Sequence, residues 1–242
     1  MRILHLTDTH LGHVRVLIGG PRGWSRADDH HDAFVRALTP ALRDEVDLVV
    51  HSGDVFDRSR PPAADVERAL TVLGEVARRV PVVAIAGNHD RRGLGHHRAP
   101  AGVTLVDEPR RIDHGGAQLG FVPYQRTREG FRAAVDGLGT LDLLVCHQAF
   151  DGVAIPRPGG RPFVFRVARQ DDTVGPHDIR RVDAVACGHI HPRQVVRYGR
   201  CAVVHPGSTE RTAFAERDQT KGFALWQLGR RPTWRFVDLS TR

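Results

Sequence analysis

Polar residues of the types that bind divalent metal ions follow five short apolar runs of this sequence. Carboxylate, imidazole and amide groups suit Mn²⁺, Fe²⁺ or Zn²⁺, and one carboxylate can bridge two such ions. The five motifs are Asp8-Thr9-His10, Gly53-Asp54-Val55-Phe56-Asp57, Gly87-Asn88-His89-Asp90, His147 and Gly188-His189-Ile190-His191. The chemistry that such a set supports is hydrolysis at phosphorus by a metal-activated hydroxide.

Each motif is weak evidence alone, because a single strand-end histidine is more often a hydrogen-bonded structural residue than a ligand. All five together, each after a strand-like run, predict a dinuclear site. The spacing of Asp8 with His10 and of His189 with His191 directs alternate side chains to one side of an extended chain. Asp54 is the predicted bridging ligand.

The elements that position these motifs are strand-like runs rich in apolar and branched residues. The runs span 2–6, 47–51, 80–86, 141–146 and 183–187. Helical patterns over 28–43, 62–79 and 127–138 alternate with them, which predicts parallel βαβ units. Because ligands of open α/β sheets bind beyond the carboxyl ends of the strands, the motifs should converge on one rim.

The remaining segments indicate antiparallel structure. A Gly115-Gly116 turn divides 111–124 into two arms, and 194–204, 222–228 and 233–239 are typical of successive antiparallel strands. The predicted fold is therefore α/β, with two mixed β-sheets packed as a sandwich and flanked by helices. Segment 151–177, rich in Pro, Gly and Arg, is predicted to be a functional or mobile loop.

The charge balance favours a nucleic-acid partner. The 242 residues include 35 Lys+Arg against 28 Asp+Glu, and Lys221 is the only lysine. Arginine presents a planar fork of donors that matches phosphate oxygens. The alternative, a solvated arginine-rich surface that reflects coding bias, has equal weight. The length favours a single catalytic domain.

The cysteines and the hydropathy of the sequence indicate a cytoplasmic protein that is not anchored in a membrane. The three cysteines lie in apolar runs without the spacing of a metal or redox motif, so reduced core thiols are expected. The apolar start of the chain is too short for a signal peptide, and no stretch approaches membrane-spanning length.

This order of motifs resembles the calcineurin-like metallophosphoesterases from residue 2 to about residue 191. The resemblance implies the two-sheet sandwich fold. It also implies that one ion is held by Asp8, His10, Asp54 and His191, and the other by Asp54, Asn88, His147 and His189. In this comparison His89 is not a ligand. It is placed to protonate the leaving oxygen or to stabilise the transition state.

A narrower resemblance, to SbcD-type DNA-repair nucleases, rests on stretches 5–12, 53–61 and 205–216. The third is the most specific, because generic phosphatases lack it. Members of that family continue into a DNA-capping domain and a helical segment that binds an SMC-like ATPase, whereas little of this chain follows Ala213. We therefore expect one phosphoesterase domain over 1–242, without separate capping or ATPase-binding domains, and coupling to an SMC-like ATPase is doubtful.

Several residues beside the ligands are candidates for further roles. Asp90 is expected to orient the ring of His89, with a local turn hydrogen bond as an equal alternative. The candidates for substrate binding are Asp57, Arg58, Arg91 and Arg92. Asp57 stands where some relatives carry a histidine near the scissile phosphate. The basic stretches 91–98 and 157–169 are candidate phosphate tracks, or else solvated faces.

Other histidines have no predicted ligand role. His30, His31, His96 and His97 are expected to be solvated. His5 and His51 lie in or at the end of central strands and are expected to be hydrogen-bonded core residues.

The sequence thus predicts a metal-dependent phosphodiesterase acting on DNA, as a single-strand endonuclease in repair. The cofactors are two divalent ions, with Mn²⁺ favoured over Fe²⁺ or Zn²⁺. The partners are single-stranded DNA and other repair proteins. The alternative is a phosphodiesterase or phosphatase for small substrates such as cyclic nucleotides. A scaffold that has lost catalysis is disfavoured because the whole set of candidate residues is intact.

Overall fold

The computed structural model describes residues 1–14, 26–90, 94–157 and 159–241. Its larger strands form two six-stranded mixed sheets. In chain order the strands are β1 (Arg2–Leu6), β2 (Leu48–His51), β3 (Val82–Ile85), β4 (Val103–Val106), β5 (Arg110–His114), β6 (Ala117–Val122), β7 (Leu143–His147), β8 (Ala154–Ile155), β9 (Phe163–Val164), β10 (Ala184–Gly188), β11 (Gln194–Tyr198), β12 (Cys201–His205), β13 (Lys221–Gln227) and β14 (Thr233–Leu239).

The two sheets have similar designs. The first has the order β14-β13-β1-β2-β3-β4, and the second has the order β11-β12-β10-β7-β6-β5. In the first, β1 to β4 are parallel, and β13 and β14 extend the sheet in antiparallel pairing. In the second, β6, β7, β10 and β12 are parallel, with β5 and β11 as antiparallel edges. The predicted pair of mixed sheets is confirmed.

Alternation along the central strands builds three apolar layers. On β1, Ile3 faces the layer between the sheets, whereas Leu4 and Leu6 face the layer under the helices of the first sheet. On β7, Val145 faces the inter-sheet layer and Leu144 the outer one. Strands buried on both faces read as continuous apolar runs, which is why the sequence reveals them.

In the part of the chain that the structure describes, four α-helices cover the sandwich. They are α1 (Arg26–Ala37), α2 (Thr39–Leu42), α3 (Ala63–Ala77) and α4 (Arg128–Leu138). Helices α1 to α3 contribute to the layer outside the first sheet, and α4 packs outside the second. The hydroxyl of Thr127 caps α4 by accepting the N–H of Gly130 at 3.1 Å. Among the described residues, no helix has the length and apolar character needed to cross a membrane.

Two predicted elements differ from the structure. The single helix predicted over 28–43 is divided at Leu38 into α1 and α2, because Pro40 lacks the N–H of a helix interior and its ring blocks the preceding turn. Segment 151–177, predicted as irregular, contains the small β8-β9 sheet. Strand β4 was not predicted, because it has only four residues and one of them, Thr104, is polar. The three cysteines are buried and free, as expected.

Candidate metal centre

The five motifs lie together at the carboxyl ends of β1, β2, β3, β7 and β10. The first three strands belong to one sheet and the last two to the other, so the motifs meet across the rim of the sandwich. Three overlapping groups have ligand atoms within 4.8 Å of one another. These groups are Asp8, His10 and His191; His10, Asp54 and His89; and Asp8, Asp54 and His147.

The backbone is strained at four of the motif residues, Asp8, His10, Asp54 and His189. Five non-glycine residues in the described part of the chain have positive φ, a conformation that costs a side-chain-bearing residue on the order of 1–3 kcal/mol. They are Asp8 (49°), His10 (45°), Asp44 (58°), Asp54 (53°) and His189 (78°). Backbone bonds between the motifs hold the turns: the N–H of Asp8 donates to Gly53 at 3.0 Å, and that of His10 donates to Asp54 at 3.1 Å.

In one half of the centre two imidazoles approach each other through their Nε2 atoms, with ring planes 63° apart. Nε2 of His10 lies 3.1 Å from Nε2 of His191, and the latter lies 3.9 Å from Oδ1 of Asp8. Nδ1 of His191 is 2.8 Å from Oε1 of Glu216, and Nδ1 of His10 is 3.4 Å from Oδ1 of Asp57. The hydrogen bond to Glu216 favours the proton on Nδ1 of His191 and the lone pair on its Nε2. Nδ1 of His10 is near Asp57 but has no hydrogen-bond partner among the described residues.

The other half follows the same logic. Nδ1 of His147 donates to the carbonyl of Ser52 at 2.8 Å, so Nε2 carries the lone pair whenever the ring is neutral. That lone pair faces two acceptors, Oδ1 of Asn88 at 2.9 Å and Oδ2 of Asp54 at 3.3 Å. Nδ1 of His189 also lies 2.8 Å from Oδ1 of Asn88. These short contacts need positive charge between the acceptors, either a proton on the imidazole rings or a bound metal ion.

The carboxylate of Asp54 lies between the two halves. Its Oδ2 is 3.3 Å from Nε2 of His147 and 3.9 Å from Nε2 of His10. Burial lowers the pKa of His147, but the charge of Asp54, its hydrogen bond and the charge of Asp8 outweigh burial and raise that pKa to about 10. The site therefore concentrates negative potential, and its donor set fits two divalent cations.

The approach of the two sheets at this rim depends on glycine. A Cβ atom added to Gly53, whose φ is +101°, would collide with the ring of His147. A Cβ atom added to Gly87 would collide with the carboxylate of Asp54. Both motifs therefore need glycine immediately before the ligand-bearing residue.

The profile of the calcineurin-like phosphoesterase family matches residues 1–193, a range that includes every motif of the centre. The chain belongs to this family. Membership confirms the expected two-sheet fold and the expected phosphoester hydrolase, and it brings with it dependence on bound metal ions, for which the residues above are the candidates.

Curated relatives of this phosphoesterase carry the name DNA double-strand break repair protein Mre11. The one from Haloferax volcanii is 30% identical over 234 residues, which cover 93% of this chain and 48% of the relative. The one from Thermoplasma acidophilum is 34% identical over 235 residues, covering 86% and 56%. The chain thus spans about half the length of these relatives. The resemblance to DNA-repair nucleases that the sequence suggested is confirmed.

Solved structures share the fold at low sequence identity. A dimetal phosphatase from Danio rerio superposes with a TM-score of 0.64 at 12% identity, covering 98% of this chain and 97% of that one. An archaeal phosphodiesterase superposes with a TM-score of 0.51 at 12% identity. At such identities the likeness extends to the fold alone.

His89 stands at the exposed edge of this phosphoesterase centre, and Asp90 does not orient it. The ring of His89 donates from Nδ1 to the carbonyl of Asp57 at 2.8 Å, which leaves Nε2 free to face the centre. The carboxylate of Asp90 accepts the backbone N–H groups of Val55 at 2.6 Å, Phe56 at 3.2 Å and Gly87 at 2.6 Å. The expected contact between Asp90 and the ring is wrong, and the alternative turn bond, to Gly87, is present.

The candidate substrate-binding residues fall into different environments. Asp57 is already engaged, because its Oδ1 lies 2.9 Å from Nδ1 of His13 and 3.4 Å from Nδ1 of His10. Arg58 is exposed and forms no hydrogen bond or ion pair with a described residue. Arg91 and Arg92 lie outside the described residues. A carboxylate at position 57 repels phosphate, so its geometry favours contact with the imidazoles over contact with substrate.

Sequence reasoning did not assign a role to the residues that support His191. Glu216 accepts from His191, from the hydroxyl of Thr212 at 2.9 Å and from Nζ of Lys221 at 2.8 Å. Lys221, the only lysine, is 1% exposed. The available signal was the specific stretch 205–216, which ends on Glu216, but its partner His191 is 25 residues away.

The prediction that His30 is solvated is also wrong. Its ring is fully buried, and Nδ1 lies 2.9 Å from the carbonyl of Thr9. Burial lowers the pKa of His30 to about 3, so the ring is neutral. His5 and His51 are buried as expected, and their Nε2 atoms bond to the hydroxyls of Ser52 at 2.7 Å and Thr9 at 3.0 Å.

Replacing Asp90 should destabilise the fold because three buried backbone N–H groups lose their acceptor. Each unsatisfied group costs about 1–3 kcal/mol, so Asp90→Ala should lower the free energy of unfolding by several-fold more than Asp90→Asn, which keeps one oxygen. Denaturant unfolding in chelator measures this. Asp218→Ala, at a side chain that is 87% exposed, is the control and should change little. Equal stability of Asp90→Ala and the control would contradict the assigned role.

Proposed function

We propose that this protein is a two-metal phosphodiesterase that cuts single-stranded DNA internally during DNA repair. The observation that carries the proposal is the position of Asp54, whose Oδ2 lies between imidazole nitrogens contributed by the two sheets. A carboxylate in that position can bridge two ions. The DNA substrate is supported by the relatives, which are named for repair of DNA double-strand breaks.

The proposed ligand sets divide the centre into halves that share Asp54. Asp8, His10 and His191 complete one set, and Asn88, His147 and His189 complete the other. When bound, two divalent cations supply an activated water and positive charge for the phosphoryl oxygens. The imidazole-rich donor set favours Mn²⁺ over Mg²⁺, which prefers oxygen ligands and retains its waters.

His89 is proposed as the general acid. Its Nδ1 proton is held by the carbonyl of Asp57, so the ring is fixed while Nε2 faces the reacting group. A proton carried on Nε2 can pass to the leaving oxygen of the scissile ester, and the exposed position leaves room for the departing strand. The backbone N–H of His89 donates to Oδ1 of Asp54 at 2.8 Å, which ties the acid to the bridging carboxylate.

Asp57 and Glu216 are proposed as positioning residues. Glu216 accepts from Nδ1 of His191 at 2.8 Å, and Asp57 brings a carboxylate oxygen to within 3.4 Å of Nδ1 of His10. The charge and hydrogen bond of the imidazole hold the pKa of Glu216 well below its usual range despite burial, so the carboxylate is ionised. Such partners orient the ring and raise its basicity toward a metal.

The depth of the centre supports a single-stranded substrate. Asp8 and His147 are 0% exposed and Asp54 is 2% exposed, so a phosphate must descend below the rim to reach the ligands. A single strand can bend its backbone into such a site, whereas a duplex must first unpair. Exposed Arg58 beside the rim, and the net charge of +7, supply attraction for the backbone.

The metal prediction concerns stoichiometry. Purified protein should bind two Mn²⁺ ions per chain, Mn²⁺ should support more activity than Mg²⁺, and Asp54→Ala should weaken both sites and abolish activity. Metal analysis after dialysis measures the ion count. Asp44→Ala is the matched control, because Asp44 has a similar φ of 58° but lies in a turn paired with Arg79. One ion at saturation, or loss of a single ion from Asp54→Ala, would contradict the bridging assignment.

The general-acid prediction concerns the leaving group. His89→Ala should retain both metal ions yet lose activity by about 10²–10⁴-fold, the typical contribution of general acid catalysis. The loss should be larger for an alkyl phosphodiester than for a nitrophenyl phosphodiester, because nitrophenolate leaves without protonation. His114→Ala, on the remote strand β5, is the control. Equal losses on both substrates would instead assign His89 to phosphate positioning.

The substrate prediction uses a circular single strand, which has no end for an exonuclease. The wild-type protein in Mn²⁺ should linearise the circle and leave blunt duplex nearly intact, with weaker binding at higher salt. Asp54→Ala, prepared identically, excludes a contaminating nuclease. Survival of the circle while linear strands are degraded would replace the endonuclease with an end-dependent exonuclease. Survival of every nucleic acid would favour the phosphodiesterase for small substrates.

A further inference from the structure

A second cleft lies at the end of the sandwich opposite the metal centre. It has a volume of about 640 Å³, within the range of small-molecule and cofactor sites. The turn between β11 and β12, the turn between β13 and β14, and the amino end of β10 form its walls. Strand β10 has five residues between this cleft and His189, so the two sites are separated by about 17 Å at roughly 3.3 Å per residue.

Four arginines from two hairpins line this distal cleft. Arg197 belongs to β11, Arg200 to the following turn, and Arg230 and Arg231 to the turn before β14. Arg200, Arg230 and Arg231 are exposed and form no hydrogen bond or ion pair with any described residue. Asp183 is the one acidic residue in the lining. The cleft therefore concentrates positive charge that the described chain does not neutralise, as an anion-binding site does.

An aromatic wall accompanies the charges. The guanidinium carbon of Arg197 lies 5.3 Å from the ring centroid of Trp234, whose other neighbour, Trp226, is 5.3 Å away and 2% exposed. Trp234 is thus held against the buried core while its stacked arginine faces the cleft. Flat guanidinium and indole surfaces stack on nucleobases without regard to their sequence.

A similar pair continues toward the metal centre. Arg193 comes two residues after His191, and its guanidinium carbon lies 4.8 Å from the ring centroid of Phe236. The pairs of Arg193 with Phe236 and Arg197 with Trp234 both join β14 to the segment that includes β11, along one edge of the sandwich. This edge therefore carries two arginine–aromatic pairs between the two sites, of which Arg193 is also ion-paired with Asp238 at 2.6 Å.

We propose that the distal cleft binds phosphorylated nucleotide units of a single-stranded nucleic acid, outside the catalytic centre. The arginines take the phosphates, and the wall of Arg197 and Trp234 takes a base. A duplex is excluded because its paired bases cannot reach that wall. The same strand can then follow the β11 and β14 edge to the metal centre, so the cleft anchors substrate away from the cut. This binding goes beyond the proposed hydrolysis and does not require it.

The test compares two double variants with equal loss of charge. Arg230→Ala with Arg231→Ala removes cleft arginines. Arg78→Ala with Arg132→Ala removes exposed arginines at the end of α3 and on α4, remote from the cleft. All four side chains are exposed, so both proteins should fold. Binding of a fluorescent single-stranded oligonucleotide is measured in chelator across a salt series, and cleavage of a nitrophenyl phosphodiester in Mn²⁺ reports on the metal centre.

The cleft variant should bind the oligonucleotide about tenfold more weakly, and its salt slope should fall by about 1.4, since each phosphate contact on a single strand contributes about 0.7. Its nitrophenyl activity should match wild type, and the control variant should match wild type in both assays. Equal affinity and slope for the two variants, or no binding by wild type, would overturn the proposal. If a mononucleotide binds as tightly as the oligonucleotide and the cleft variant loses that binding, the ligand of the cleft is a free nucleotide and the proposal of a single strand is wrong. Because chelator prevents cleavage, these outcomes do not depend on whether DNA is the hydrolysed substrate.

Discussion

The convergence of lone pairs around Asp54 is the constraint on which the rest of the centre depends. His147, Asn88 and Asp54 direct acceptors at one another, and so do the Nε2 atoms of His10 and His191. Unless the imidazoles are protonated or metal ions are bound, this arrangement is repulsive, and the fold must hold it by other means. The energetic cost of this arrangement falls on short turns that backbone hydrogen bonds tie to each other. Four candidate ligands in these turns have positive φ values, and the glycines beside them are too crowded for a Cβ atom.

Buried charged residues on the side of His191 away from the centre support its role as a ligand. Glu216 stands behind His191, and Lys221 stands behind Glu216, with Nζ also donating to the hydroxyl of Ser208 at 2.8 Å. Burial lowers the pKa of Lys221, while the charge and hydrogen bond of Glu216 raise it, so the lysine is tolerated inside the protein as half of an ion pair. Without Lys221, burial would favour the protonated form of Glu216, because desolvation penalises its charge. The lysine thus keeps the carboxylate ionised and available to the imidazole.

A feature of the centre could be predicted from the sequence when the residues that form it lie close together along the chain. The five motifs could be found because each combines a buried strand with its own ligand within a few residues, as β1 does with Asp8 and His10. The role of Asp90 could not, because its carboxylate bonds to N–H groups 34 and 35 residues earlier, which periodicity does not reveal. The prediction for His30 was wrong for the same reason, because its partner Thr9 is 21 residues away. The helix has an amphipathic pattern whether His30 is buried or exposed.

The centre also depends on how the sheets pack against each other. Asp8, His10, Asp54 and Asn88 follow strands of the first sheet, whereas His147, His189 and His191 follow strands of the second. Each proposed ligand set draws on both sheets, so a bound ion links them. The apolar layer between the sheets includes Phe121 and Trp226, which are 0% and 2% exposed. It sets the distance between the ligands of one sheet and those of the other. A close-packed layer of this kind resists small displacements. The position of the proposed ligands is therefore a property of the whole sandwich, and ions bound by both sheets would in turn stabilise the sandwich that positions them.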